Sequence, residues 1–263
     1  MKKKIILTAL LLLLAAGAVV AIFAIKNERK ERKRTPEEMA LIEDVKKMYP
    51  AQMYLGPMTE EIEPLTEEEL KELNPEEEPY IEYGPEYAAG ITTVYGRFNK
   101  KKIRNIYDAR EAAYRAWMYA GGEYDKDMFL FGEELVLTSR NNLEYYKFYP
   151  YYKGVLIKGG GVTVHVNENG DMFSLYSFLR PENKITIDSM EYEYKGEKLQ
   201  ALLEERYGEC SIVRKELTIC RSKTGYVLEW YLVIDAPEVP VDYVYLDAKT
   251  GEIWGEYEEM IEY

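Results

Sequence analysis

Apolar residues recur at every second position in Val162, Val164 and Val166, the pattern of a strand with one buried face. Asn167-Glu168-Asn169-Gly170 follows, and Asn and Gly adopt positive φ at little cost, so the chain turns there. Met172 to Phe178 is the returning strand, and Gly159-Gly160-Gly161 marks an earlier reversal or a close backbone approach. The stretch from Tyr145 to Arg180 is therefore predicted as an antiparallel meander. Upstream, Ala109, Ala112, Ala113, Ala116 and Trp117 lie at helical spacing. Asp108-Ala109-Arg110-Glu111 supplies a capping box, and Gly121-Gly122 stops the helix. Strands are expected at Glu134–Ser139 and Glu144–Tyr149, joined by a turn at Arg140-Asn141-Asn142.

Downstream, Leu199, Leu202 and Leu203 predict a helix from Gly196 to Tyr207 that ends at Gly208. Asp188-Ser189 offers an earlier start for it. Strands follow at Ser211–Arg221, Tyr226–Asp235 and Tyr243–Glu256, the last a hairpin turned at Asp247–Gly251. Pro237 and Pro240 separate the last two, since proline cannot donate to a central ladder. The pattern Val244-Tyr245-Leu246-Asp247 to Gly251-Glu252-Ile253 echoes Val164-His165-Val166-Asn167 to Gly170-Asp171-Met172. Both are strand, Asn/Asp turn, glycine, acid, apolar strand. This weak internal repeat speaks to register rather than chemistry.

The N-terminus has a different pattern. Lys2-Lys3-Lys4 precede an uncharged run from Ile5 to Ile25. At 1.5 Å per residue such a run reaches about 31 Å, enough to span a bilayer core. An uncleaved anchor through residues 5–25 is expected; the alternative is a signal peptide cleaved after Ala24. Thr35-Pro36-Glu37-Glu38 starts a helix that runs to about Met48, and Thr66-Glu67-Glu68-Glu69 starts a short one that runs to Leu73. Pro57, Pro64, Pro75, Pro79 and Pro85 lie around these among dense glutamates. The organisation expected is residues 1–34 as membrane anchor and basic flank, 35–97 as an acidic, partly helical, poorly packed linker, and 98–182 and 183–263 as two small units. The fold class is α+β: an N-terminal transmembrane helix, then two units, each a helix packed on an antiparallel sheet.

Charge sharpens this division. The whole chain carries −13 at pH 7. Residues 1–34 are basic, with Lys26, Arg29, Lys30, Arg32, Lys33 and Arg34 after the apolar run. Everything beyond is strongly acidic and repels phosphate backbones, so nucleic acid is not an expected partner. Taken alone, the positive-inside rule puts the body in the cytoplasm. Tyrosine is abundant, with 25 residues, which suits sheets with one dry and one wet face. Cys210 and Cys220 would lie roughly 33 Å apart on one straight strand, so a bridge requires a reversal near Arg214-Lys215, which shows no Gly, Pro or Asn. Free, partly buried thiols are expected.

Candidate chemistry is sparse. His165 is the only histidine and points away from the buried valines. Zincin chemistry needs two histidines one helical turn apart and a glutamate base. No nucleophile motif accompanies His165 either. Asn167-Glu168-Asn169-Gly170-Asp171 departs from a calcium loop, with its glycine in the fourth position and Phe178 where a bidentate glutamate belongs. Gly159–Gly161 lacks the Lys-Ser/Thr that follows in a phosphate loop. No cofactor, metal or catalytic residue is expected.

Two resemblances suggest a role. Tyr152, Gly154, Val155, Gly159, Val164, His165, Val166, Asn167 and Gly170 resemble the core of the prodomain segment of fungalysin- and thermolysin-type metallopeptidases. Leu228-Glu229-Trp230-Tyr231-Leu232-Val233 and Tyr243 to Ile253 resemble the PepSY domain, found after that segment in peptidase prodomains and in stand-alone envelope proteins. The resemblances imply a non-enzymatic, membrane-anchored envelope protein with its body outside the membrane. It would restrain or assist a partner protein, most naturally an extracytoplasmic peptidase. The alternative is an accessory or sensor subunit acting with a membrane kinase. Tyr151, Tyr152, His165, Tyr176, Trp230, Tyr243 and Tyr245 are the candidate contact residues, through sheet edges or tyrosine-rich faces.

Overall fold

The structure is a computed structural model that describes residues 34–84, 91–136, 144–181, 184–187, 189–222 and 225–258. The expected span at residues 5–25 and the turn at 140–142 lie outside them. Among the described residues no helix is long and apolar enough to cross a membrane. The chain divides into two units, Met1–Met48 and Tyr49–Tyr263. In the first, helix α1 (Pro36–Met48) begins as expected. Thr35 Oγ1 accepts from Glu38 N–H at 3.2 Å, and Glu38 Oε2 accepts from Thr35 N–H at 2.7 Å.

The second unit contains two sheets. The first has seven strands in the order β1-β4-β5-β8-β9-β3-β2. These are β1 (Met53–Tyr54), β2 (Tyr80–Tyr83), β3 (Thr92–Tyr95), β4 (Phe131–Val136), β5 (Glu144–Tyr149), β8 (Val162–Val166) and β9 (Met172–Ser177). Val162, Val164 and Val166 are fully buried, as is Leu175 opposite Val164. Helix α3 (Ile106–Tyr119) packs on β8 and β9 with Ala109, Ala112, Ala113 and Ala116 turned inward. Alanines bring the helix axis close to the sheet, and each fully buried valine or leucine beneath it contributes about 1.5–3 kcal/mol. The helix starts earlier than the sequence pattern predicts. Its cap is Asn105, whose Oδ1 accepts from Tyr107 and Asp108 N–H. Asp108 instead accepts from Arg104 N–H at 3.0 Å. At the other end a Cβ on Gly122 would overlap the Trp117 indole.

The second sheet has six strands in the order β13-β12-β11-β10-β7-β6. They are β6 (Tyr151–Tyr152), β7 (Val155–Ile157), β10 (Ser211–Ser222), β11 (Gly225–Asp235), β12 (Tyr243–Asp247) and β13 (Ile253–Tyr257). Helix α4 (Gly196–Tyr207) adds Leu199, Leu203 and Tyr207 to the core. The two echoing hairpins form as expected. Asn167 Oδ1 accepts from Asn169 and Asp171 N–H, Asp247 Oδ1 accepts from Lys249 and Thr250 N–H, and Gly170 and Gly251 take positive φ.

Three expectations fail. Residues 49–97 are not a poorly packed spacer: they supply β1, β2 and β3, and Leu55, Ile62 and Val94 are buried. Helix α2 (Glu67–Leu73) has the expected capping box, and Asn74 after it is pinned to Arg97 by hydrogen bonds of 2.7 and 3.0 Å. Nor is the meander continuous. Pro150, which has no N–H to donate, separates β5 in the first sheet from β6 in the second. β7 then pairs in parallel with β10, with Thr218 opposite Leu156. Gly159–Gly161 carries the chain back into the first sheet as β8. Finally, 98–182 and 183–263 are not separate units, because one buried cluster contains Val164 and Phe148 as well as Leu199, Leu232 and Val244.

Candidate functional site

Each sheet buries one face and leaves the other polar and aromatic. On the first sheet, strand alternation sends Tyr145, His165, Tyr176, Thr163 and Thr93 away from α3. Tyr145 stands opposite His165, and His165 opposite Ser174. The Tyr145 ring meets His165 edge-on at 4.8 Å, and Phe173 lies 5.6 Å from it. His165 Nδ1 and Ser174 Oγ share a hydrogen bond of 2.9 Å. Burial among these groups holds the imidazole pKa below its ordinary value. Ser174 is 2% exposed, so no substrate reaches its hydroxyl. Among the described residues no carboxylate is hydrogen-bonded to the ring. Tyr176 and Phe178 meet edge-on at 5.1 Å. Phe173 and Phe178 are 37% and 49% exposed. At the sheet edge Tyr80 stacks on Tyr95 at 4.7 Å.

The second sheet carries a tyrosine ladder. Tyr231 on β11 stacks with Tyr245 at 5.1 Å and Tyr243 at 6.1 Å, and Tyr245 meets Tyr257 at 5.8 Å. Lys158 Nζ sits 3.7 Å from the Tyr245 ring centre and 2.8 Å from Glu229 Oε1. Thr218 Oγ1 donates to the same oxygen at 3.4 Å. Glu229 is buried, and a buried carboxylate needs such partners. Nearby, the Tyr49 hydroxyl lies 3.1 Å from both oxygens of buried Glu216. Burial raises the Glu216 carboxyl pKa, opposed by Tyr49, Arg214 and Lys158. Burial and Glu216 together push the Tyr49 hydroxyl up to about 12. A cleft of about 970 Å³ beside this face is lined by Lys158, Cys220, Glu229, Asp247 and Trp254.

The residues singled out from the sequence divide accordingly. His165 and Tyr176 share the open face of the first sheet, on neighbouring cross-strand rows. Tyr243 and Tyr245 share that of the second. Tyr152 is half-buried, with Lys153 Nζ 5.0 Å over its ring. Tyr151 and Trp230 are core residues and offer no contact surface. Tyr151 packs on Phe131 at 5.1 Å. Trp230 donates its indole N–H to Tyr194 O at 2.6 Å. The sequence pattern did not single out Tyr145, Phe173, Lys158 or Tyr231. Alternation along β11 was the available signal for Tyr231 and Glu229; nothing local marks Lys158.

Cys210 and Cys220 are free thiols. Burial, then the neighbouring Glu229 carboxylate, pushes Cys220 up to about 12, so its nucleophilic thiolate is scarce. Among the described residues no group of three or more histidine, cysteine or acidic side chains could hold a metal ion.

The protein is thus an α+β chain whose two sheets share a core and present open aromatic faces. Residues 134–177 match the Fungalysin/Thermolysin Propeptide Motif. That stretch runs from β4 to β9, taking in the centre of the first sheet and the excursion of β6 and β7 into the second. Among solved structures the chain is similar to the Bacillus megaterium YpeB C-terminal domain, at 14% sequence identity and a TM-score of 0.33, over 74% of this chain and 97% of that one. A comparison with curated proteins finds no match.

Proposed function

We propose that this chain is a non-enzymatic binding module of the prodomain kind, which restrains or assists a peptidase-class partner through its open sheet faces and edges. One observation carries the reading: the propeptide motif at residues 134–177 supplies β5, β8 and β9 at the centre of a sheet with one face under α3 and Tyr145, His165 and Tyr176 on the other. That second face is aromatic, and aromatic anchors dominate protein interfaces. The PepSY resemblance at residues 228–253 belongs to the same reading. The test adds the purified full chain to a thermolysin-type metallopeptidase, both native and during refolding. Slower substrate cleavage or a higher refolding yield is expected. If a tenfold excess changes neither, the proposal fails.

We further propose that residues 5–25 anchor the chain in a membrane with its body on the outer side. The uncharged run and the following cations support the anchor. Protease added to intact cells should digest the body. A fully shielded body overturns this placement.

A further inference from the structure

Strand β2 ends the seven-stranded sheet and, among the described strands, pairs only with β3. Its outward edge follows from its register. Gly84 N–H donates to Ile91 O at 3.0 Å. Hydrogen-bonded and non-bonded pairs alternate in an antiparallel ladder. The bonded pairs are then Glu82 with Thr93 and Tyr80 with Tyr95, and the N–H and C=O of Ile81 and Tyr83 point away from β3. Among the described residues no backbone group pairs with them. A free row of this kind is a template for strand addition.

The surroundings give the sign of the added strand. Between Lys71 and Arg97 every charged residue is a glutamate. Glu76, Glu77, Glu78 and Glu82 are exposed. A cleft of about 580 Å³ opens at this end of the sheet, lined by Glu76, Glu77, Glu78, Tyr80, Tyr95 and Phe173. Tyr80 and Tyr95 stack there with 20° between their planes, leaving an outer ring face for a cation. Arg97, the cation at this cleft, is committed: its Nη2 lies 3.0 Å from Asp171 Oδ1 and its Nε donates to Asn99 O.

We infer that β2 is the docking edge for an extended basic segment of the partner, a strand carrying Lys or Arg at alternate positions. Ile81 and Tyr83 supply the main-chain bonds. The cations fall on the outer face, against the glutamates and the Tyr80–Tyr95 pair. An acidic strand meets like charge there and is rejected. The inference rests on the partner-binding reading above and narrows it to one edge and one partner chemistry.

The test uses the full chain and fluorescent eight-residue peptides, read by anisotropy. The parent alternates Lys with Val; a second peptide has Glu for Lys; a third is N-methylated at alternate residues along its pairing edge. The parent is expected to bind and the Glu peptide not to. N-methylation should weaken binding at least tenfold, since it removes ladder donors. The variant E76Q/E77Q/E78Q, altered only at exposed positions, should bind roughly tenfold more weakly, as three exposed ion pairs allow, with an unchanged unfolding midpoint. Equal binding of the N-methylated and parent peptides overturns the edge, and unchanged binding to the triple variant overturns the charge assignment. Binding seen only after the cations of residues 26–34 are replaced by glutamine gives the edge to that segment, and a dimer abolished by the parent peptide gives it to a second copy; either overturns a partner strand. Peptide binding without any effect on a peptidase keeps the edge and sinks the prodomain reading. A peptidase effect undiminished in the triple variant does the reverse.

Discussion

The corner where the chain leaves one sheet and re-enters it can be tested at Gly160. A Cβ built there lies 2.9 Å from Pro150 Cγ, 3.0 Å from Leu179 Cδ1 and 3.1 Å from Ile157 O. Carbon atoms pack best at about 3.5–4.0 Å, so Gly160→Ala forces buried Pro150 and Leu179 apart. Overpacking of this kind costs about 1–3 kcal/mol. A loss of 2 kcal/mol lowers Tm by about 4–8 °C in a body of this size. The neighbouring glycines are internal controls. Gly161→Ala meets only the flexible Lys147 Cε at 3.3 Å and should cost well under about 1 kcal/mol. Gly159 has φ +70° and nothing within 4 Å, so Gly159→Ala costs only the left-handed backbone penalty of roughly 1–2 kcal/mol. Pro150→Ala removes the nearest atom. In a double-mutant cycle followed by urea unfolding, it should return on the order of 1 kcal/mol to Gly160→Ala. If the pair is additive within about 0.5 kcal/mol, or Gly161→Ala is the more damaging change, close approach at the corner does not explain the glycine.

Three further outcomes are expected. His165 is the only histidine, so its ring proton gives one assignable NMR titration; the midpoint should lie below the ordinary 6.5 or so. Because the folded pKa is depressed, the associated stability is present above that value and lost as pH falls through the folded midpoint; a midpoint at or above it refutes the burial argument. Glu216 has a raised folded pKa, so its stabilising contribution is full below the usual carboxylate range and lost as pH rises through the folded value. Glu216→Gln should therefore gain stability relative to the parent between pH 4 and pH 8, by chemical denaturation; a flat difference counts against it. Cys220, half-buried with its thiol pushed up to about 12, should react slowly with a maleimide at pH 8 in the native state and faster on unfolding; mass mapping that shows rapid native labelling at Cys220 contradicts the raised thiol pKa.

Local order was the legible part of this fold. The Thr35 and Thr66 capping boxes place α1 and α2 because the bonded groups are three residues apart. The two Asx-turn hairpins at Asn167 and Asp247 work in the same way, and valine alternation marks the buried face of β8. The miss at Asn105 is also local: Asp108 mimics a cap but instead serves as the third helical residue. The strands β1, β2 and β3 were illegible because two to four residues carry too little period to stand out from glutamates and prolines. The site was half legible. Alternation places His165, Tyr176, Tyr243 and Tyr245 on strand faces, yet it placed Tyr151 and Trp230 no differently, and those are buried.

What the sequence determined by itself is thus helix starts and stops, hairpin turns and which residues share a strand face, since each depends on neighbours within about five positions. It also determined the acidic run before and through β2. Only the tertiary structure decided that Pro150 and Gly160 meet, that β7 lies parallel to β10, and that Lys158 joins Glu229 from 71 residues away. Such pairings are settled by packing density and by the need to pair buried polar groups. Neither leaves a period in the chain.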